Sequence, residues 1–271
     1  MKKILVLDLD GTLTNDEKKI TPKTKQALEA MLRQGHKVVL ASGRPTVGVL
    51  PVANELQLNQ YESYILSYNG GSVLNCKTNE VIYNQTLPDD IVPQLFALAD
   101  QIDMGMMTYN TAGIVANMHH DEFMELEAKI NHLKLHHFEK PLEQLNNTVN
   151  KCLGTVAVSR APQVEQQFMG HFGDRISVSR SEPFFIELVP KGIDKAASLA
   201  KLCELLHCTK DDMIACGDGF NDLSMIRYAG LGVAMENAQD TVKEAADYIT
   251  LSNNHDGIAH VIEKFILNEQ L

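Results

Sequence analysis

The chain has 271 residues, with 24 Lys and Arg against 35 Asp and Glu, a formal net charge of -11 at pH 7. An acidic balance with no basic run excludes nucleic-acid binding at the phosphate backbone as a main function, and 44% hydrophobic against 22% charged residues excludes disorder as the main state. At roughly 100 to 200 residues per domain, the length fits one large domain or two moderate ones.

The first element is the run Ile4 to Leu9, rich in Leu and β-branched residues, which reads as a strand buried on both faces of a parallel sheet. Asp8 and Asp10 interrupt it far short of the ~20 apolar residues that a membrane span needs. They also defeat an export signal, so a cytoplasmic protein with no membrane association is expected. Thr21 caps a helix that starts at Pro22, continues through Ala27, Leu28, Met31 and Leu32, and stops at Gly35. Lys37 to Ala41 is a second buried strand, Ser42-Gly-Arg-Pro45 a loop, and Val47 to Leu56 a helix. This βαβα series implies a doubly wound parallel sheet, in which ligands bind beyond the carboxyl ends of the strands.

Tyr64 to Ser67 adds a strand, Asn69-Gly-Gly71 a turn, and Ser72 to Leu74 with Glu80 to Tyr83 a hairpin. The pattern then changes over about Leu87 to Glu187: a helix at Pro88 to Asp103, paired strands at Met106 to Tyr109 and Ile114 to Met118, and mixed segments ending at Phe184 to Leu188. This reads as an inserted α+β domain. The parallel pattern resumes with a helix at Asp194 to Leu206, a strand at Met213 to Cys216, a helix at Asn221 to Tyr228, a strand at Gly232 to Ala234 and a helix at Gly257 to Leu267. The expected division is 1–84 for the first part of the core, 85–188 for the insert and 189–271 for the second part.

Four segments carry chemistry. In Asp8-Leu-Asp10-Gly-Thr-Leu13, side chains two apart share a face while the strand continues, and the Gly11 turn leaves Asp10 free to swing over the site. Such a pair suits a nucleophile and an acid/base; the bland reading is a solvated turn. In Ala41-Ser-Gly-Arg-Pro45, Ser42 offers a hydroxyl and Gly43 lets a backbone N–H approach an anion, although a plain turn has the same sequence. Arg44 and Thr46 either reach a leaving group or pin the loop. Gly217-Asp-Gly-Phe-Asn-Asp222 supplies oxygen ligands of the kind Mg²⁺ takes, or caps for the next helix. In Pro190-Lys-Gly-Ile-Asp-Lys195, a lysine at a helix N-terminus opposes the macrodipole unless an anion or carboxylate faces Lys195. Lys191 reads as a surface lysine or a peripheral ligand.

In order, residue type and the long insert between Ser42 and Lys195, these segments resemble the four signature motifs of the haloacid dehalogenase superfamily, in particular the Cof-type phosphatases with a class IIB cap, among them bacterial sugar-phosphate phosphatases. Leu66-Ser-Tyr-Asn-Gly70, Gly232-Val-Ala-Met-Glu-Asn-Ala238 and Asn253-Asn-His-Asp-Gly257 are similar to further segments of that family. The resemblance implies a Rossmann-like core with an inserted cap and a phosphoric monoester hydrolase acting on small phosphorylated metabolites. It implies Asp8 as nucleophile through an aspartyl-phosphate, and Asp10 as acid and then base. Mg²⁺ would be held by the Asp8 carboxylate, the Asp10 carbonyl and Asp218. Ser42, the Gly43 and Leu9 N–H groups, Lys195 and Asn221 would surround the phosphoryl oxygens, and Asp222 would act through water or Lys195. The second aspartate favours phosphoryl transfer over dehalogenation. A phosphosugar mutase, or a silent sugar-phosphate-binding regulator on the same scaffold, are the competing readings. A monomer or weak homodimer is the default expectation.

The remaining features read as structural. Five cysteines without C-x-x-C spacing point to no disulfide framework or zinc knuckle, and the two Asn-x-Thr sequons have no role without secretion. His119-His120 and His136-His137 lack neighbouring Cys or a carboxylate set to complete a ligand shell, so they read as surface or packing residues. Met104-Gly-Met-Met107 reads as cap core.

Overall fold

The computed structural model describes residues 2–145 and 148–267. The strands in chain order are β1 (Ile4–Leu7), β2 (Lys37–Ala41), β3 (Tyr64–Ser67), β4 (Ser72–Asn75), β5 (Glu80–Asn84), β6 (Gly105–Asn110), β7 (Gly113–Ala116), β8 (Leu135–His137), β9 (Cys152–Thr155), β10 (Ile176–Glu182), β11 (Phe185–Pro190), β12 (Met213–Gly217), β13 (Leu231–Ala234) and β14 (Tyr248–Ile249). The helices are α1 (Pro22–Arg33), α2 (Thr46–Glu55), α3 (Ile91–Gln101), α4 (Glu122–Asn131), α5 (Ala161–Phe172), α6 (Lys195–Leu206), α7 (Leu223–Tyr228), α8 (Asp240–Ala245) and α9 (Gly257–Ile262). They form two compact units, residues 1–83 with 194–271, and residues 84–193.

In the first unit the described strands form one sheet in the order β14-β13-β12-β1-β2-β3-β4-β5. The pairs from β14 to β3 are parallel, and the β3–β4 pair is antiparallel. Alternate residues of β1 enter different cores: Leu5 and Leu7 pack with Leu28, Met31 and Val261, whereas Ile4 and Val6 pack with Leu199, Leu202 and Met225. A strand apolar at every position is what a sheet covered on both faces requires. On one face, α1 buries Thr24, Ala27, Leu28, Met31 and Leu32, and the Thr21 hydroxyl accepts from the Thr24 N–H before Pro22, a residue with no N–H to satisfy.

The second unit is an α+β layer with strand order β10-β11-β9-β6-β7-β8, antiparallel throughout except at β7–β8. Leu95, Phe96 and Ala99 of α3 and Val164, Phe168 and Phe172 of α5 pack on Met106, Ile186 and Leu188 of the sheet and on Met104 just before β6. The helix expected over Pro88 to Asp103 is shorter, because Ile91 N–H closes a turn on the Pro88 carbonyl and Asp103 is left-handed at φ 52°. β7 ends before Asn117, whose side-chain oxygen accepts the Met106 N–H at 3.0 Å. β11 runs to Pro190, so residue 189, expected to open the second core segment, lies inside a strand of this unit.

In the first unit, β1 is regular only to Leu7, so the rule that side chains two apart share a strand face does not extend to Asp8 and Asp10. Among the described residues no helix is long and apolar enough to cross a membrane. The five cysteines carry free thiols.

Candidate active site

The parallel registers align Leu7 with Leu40 on one side and Cys216 on the other, so the segments after β1, β2 and β12 leave the sheet together. Asp8 follows β1, Ser42 follows β2 and Asp218 follows β12. Asp8 stays in line because its N–H donates to the Cys216 carbonyl at 3.0 Å. Lys195, the first residue of α6, reaches the same point. Its ammonium donates to Asp8 Oδ1 at 2.7 Å, to Asp222 Oδ1 at 2.6 Å and to the Ala41 carbonyl at 2.9 Å. Lys195 and Asp222 are 0% exposed and Asp8 6%. Two carboxylates thus compensate the ammonium for its position at the positive end of a helix.

Asp222 spends both oxygens internally: Oδ1 on Lys195, and Oδ2 on the Asp218 and Gly219 N–H groups, each at 2.9 Å. It therefore fixes the loop and the lysine, leaving Asp8 and Asp218 with oxygens for a ligand. Asp8, Asp218 and Asp222 can bring one oxygen each to within 4.8 Å of one another. Burial, then repulsion from Asp222, raises the Asp8 carboxyl against the opposing pull of Lys195. Burial also raises Asp218 to about 6, although the Thr12 hydroxyl donates to it at 2.9 Å. Three crowded carboxylates facing one ammonium form an oxygen-rich, electron-rich cluster that suits a hard divalent cation such as Mg²⁺. Asp8 and Asp218, with the Asp10 carbonyl nearby in sequence, fit that ion.

Asp10 is held rather than free to swing. Arg44 forks onto it, Nε to Oδ2 at 2.8 Å and Nη2 to Oδ1 at 2.6 Å, and Lys18 Nζ donates to Oδ1 at 2.8 Å. Burial pushes the Asp10 carboxyl up, but Arg44 first and Lys18 second outweigh it and hold it below its ordinary range. Arg44 thus lies on the expected acid/base. Its N–H also donates to Ser42 Oγ at 3.1 Å, tying the hydroxyl to the same loop. Gly11, at φ 85°, makes the turn between the two aspartates and the rest of their loop, and a Cβ there would lie 2.4 Å from Asp218 Oδ2. Only glycine meets both demands.

Asn221 Nδ2 donates to Asn69 Oδ1 at 3.2 Å, and Gly43 runs beside the same amide, where a Cβ would lie 3.1 Å from Asn69 Oδ1. Sequence reasoning does not single out Lys18, Thr12 or Asn69. Asn69 lies within a segment marked by resemblance, but the left-handed Lys18, at φ 60°, carries no signal. The other two segments of that kind buttress the Asp10 loop. Asn237 Nδ2 donates to the Gly11 carbonyl at 2.8 Å, and Asn253 Nδ2 to the Thr14 carbonyl at 3.1 Å. Lys191 is exposed, its carbonyl accepting from Gln85 at 2.8 Å.

Residues 5–262 match the family model described as haloacid dehalogenase-like hydrolase. A Bacillus subtilis relative, the 5-amino-6-(5-phospho-D-ribitylamino)uracil phosphatase YcsE, is 32% identical over 98% of this chain and 96% of its own. A haloacid dehalogenase-like hydrolase from Bacteroides thetaiotaomicron superposes with a TM-score of 0.95 at 45% identity, covering 98% of this chain and 100% of that one. The subclass IIB sugar phosphatase BT4131 superposes with a TM-score of 0.80 at 25% identity, covering 97% and 99%.

Proposed function

We propose, from the premise that this chain belongs to the haloacid dehalogenase-like hydrolases and is a phosphatase of that family, that it hydrolyses small sugar-phosphate monoesters with Mg²⁺ through an aspartyl-phosphate. The observation that carries this reading is the buried Asp8–Lys195–Asp222 chain beside Asp218, at the carboxyl ends of β1 and β12. Lys195 orients the Asp8 carboxylate for in-line attack on phosphorus and offers charge to the phosphoryl oxygens. Ser42, the Gly43 and Leu9 N–H groups and Asn221 supply further donors, and placing such donors is the main service a protein gives phosphoryl transfer. Asp10 protonates the departing alkoxide and then takes a proton from the hydrolytic water. Mg²⁺, when bound, offsets repulsion between the anionic nucleophile and the anionic ester.

A sugar phosphate is the substrate class that the resemblance to subclass IIB phosphatases favours, and the name of the YcsE relative makes a phosphoribityl compound a member of the test panel. Phosphate release from sugar phosphates, nucleotides and cofactor phosphates should require Mg²⁺ and stop with EDTA. Binding without turnover of any panel member would favour the silent regulator, and interconversion of sugar phosphates without phosphate release the mutase.

Metal binding should also be visible without turnover. Because burial raises the Asp218 carboxyl to about 6 and the Asp8 carboxyl to about 8, protons compete with the cation through that range. A raised carboxyl favours its neutral form in the metal-free fold, so the Mg²⁺ contribution grows as pH rises from about 6 to about 8. At 100 times Kd, Mg²⁺ should add about 2.7 kcal/mol of stability. The rise in Tm should be largest above pH 8 and small at pH 5; a shift independent of pH would count against the carboxylate site.

Arg44→Ala should slow turnover by about tenfold or more, as Asp10 loses the fork that orients it. Arg44→Lys should restore only part, because an ammonium cannot grip both oxygens. Steady-state kinetics with unchanged circular dichroism checks this, and wild-type kcat in Arg44→Ala would remove Arg44 from the machinery.

A further inference from the structure

The second unit contains a pair of imidazoles that adjacency in the sequence conceals. His120 follows β7, and His137 ends β8, whose parallel register aligns Ala116 with His137. His120 Nδ1 lies 3.2 Å from His137 Nε2, with the ring planes at 63°. The partners thus come from two different His-His doublets. His119 sits apart, between Asp103 and Asp121 at 3.2 and 3.4 Å.

The outer nitrogens decide what the inner ones can do. His137 Nδ1 is 2.7 Å from the Asn117 carbonyl, which has no hydrogen to give, so Nδ1 carries the proton and Nε2 of the neutral ring presents its lone pair to His120. His120 Nε2 lies 3.8 Å from the Glu125 carboxylate, beyond hydrogen-bond reach, so the His120 ring is free to present either nitrogen to His137. In the tautomer that protonates both outer nitrogens, two lone pairs face each other at 3.2 Å, an arrangement that a cation between them would stabilise. Two imidazole nitrogens on one ion, with bonds of about 2.0 Å, stand roughly 2.8 to 3.3 Å apart. Ligating histidines commonly direct their other N–H to a carbonyl or a carboxylate, as His137 does to the Asn117 carbonyl.

We infer that His120 Nδ1 and His137 Nε2 form a site for a borderline divalent cation of the Zn²⁺, Ni²⁺ or Cu²⁺ class. Imidazole prefers these ions, whereas the oxygen cluster at Asp8 and Asp218 prefers a hard ion, so the two sites select different metals. Two protein ligands, with the His120 side chain 63% exposed, make an open and exchangeable site that water completes, unlike a closed structural zinc site. The bound ion links edge strand β8 to the segment that enters α4.

The test uses the full chain in excess Mg²⁺, so that the carboxylate cluster is occupied. One equivalent of Cu²⁺ should give an electron paramagnetic resonance spectrum with hyperfine coupling to two nitrogens, and Zn²⁺ should compete for it. His120→Ala and His137→Ala should each lower Cu²⁺ affinity by about tenfold or more, since removing a ligand costs at least what removing its outer partner does. Asp218→Asn and His119→Ala should leave the spectrum unchanged. Absence of binding, affinity unchanged in His120→Ala, or a signal lost in Asp218→Asn would each overturn the site, the first leaving a plain N–H···N hydrogen bond. His120 is exposed enough for its variant to fold, so the test stands even where His137→Ala does not.

Discussion

Lys195→Met should abolish phosphatase activity and lower the unfolding free energy by about 3 to 5 kcal/mol, the usual cost of removing one partner from a buried ion pair. The ammonium is fully buried and touches two carboxylates and a carbonyl. Without it, Asp222 keeps its two N–H donors but loses its counter-charge, and Asp8, already raised by burial, loses its only ammonium donor among the described contacts. Chemical denaturation measures the first effect and phosphate release the second. Adding Asp222→Asn to Lys195→Met should recover part of the stability, because a neutral amide oxygen still accepts the two N–H groups, and none of the activity. A stable, inactive Lys195→Met single variant would mean that the Asp8–Lys195–Asp222 ion pair is not a source of the fold's stability.

Asp8→Asn should slow turnover by about four orders of magnitude or more, since an amide does not form the acyl phosphate and nothing else in the site replaces it. The same change should leave the metal-free protein equally stable or more so. The amide oxygen of the variant still accepts from Lys195, while the crowded carboxylates number one fewer. It should also reduce the Mg²⁺-induced rise in Tm, because one of two free carboxylate ligands is gone. Opposite signs for activity and metal-free stability are the signature of a group kept for function at the expense of the fold. Full turnover in Asp8→Asn would end the aspartyl-phosphate reading, whatever the panel shows.

The parallel core is legible because strands buried on both faces are apolar at nearly every position, and Ile4 to Leu7, Lys37 to Ala41 and Met213 to Gly217 all announce themselves in that way. Helix α8 and strand β14 escape a sequence reading, for a six-residue helix beginning Asp-Thr and a two-residue strand are too short to show a period. The reading of Lys195 as a lysine in need of a carboxylate comes from its place on the helix. Which carboxylates answer it depends on registers between strands distant in the chain, and no local spacing encodes those. Side-chain direction is harder still: the sequence offers Arg44 as a ligand or a loop pin, but its fork onto Asp10 follows from the loop path after β2. Each histidine doublet by itself reads as a surface feature, because pairing across β7 and β8 appears only once the sheet is formed.

The placement of β1 sets a schedule for biosynthesis. One neighbour, β2, follows closely in the chain, but the other, β12, is made only after the entire second unit. Until then β1 is an unpaired edge, open to mispairing with other chains, and Asp8 has neither Lys195 nor Asp222 beside it. The second unit closes on its own core without later residues. Translating its roughly 110 residues takes about 5 to 20 seconds. For that interval the nascent chain carries an open sheet edge ending in an unpaired carboxylate, so the length of the insertion also sets how long that edge stays open during synthesis.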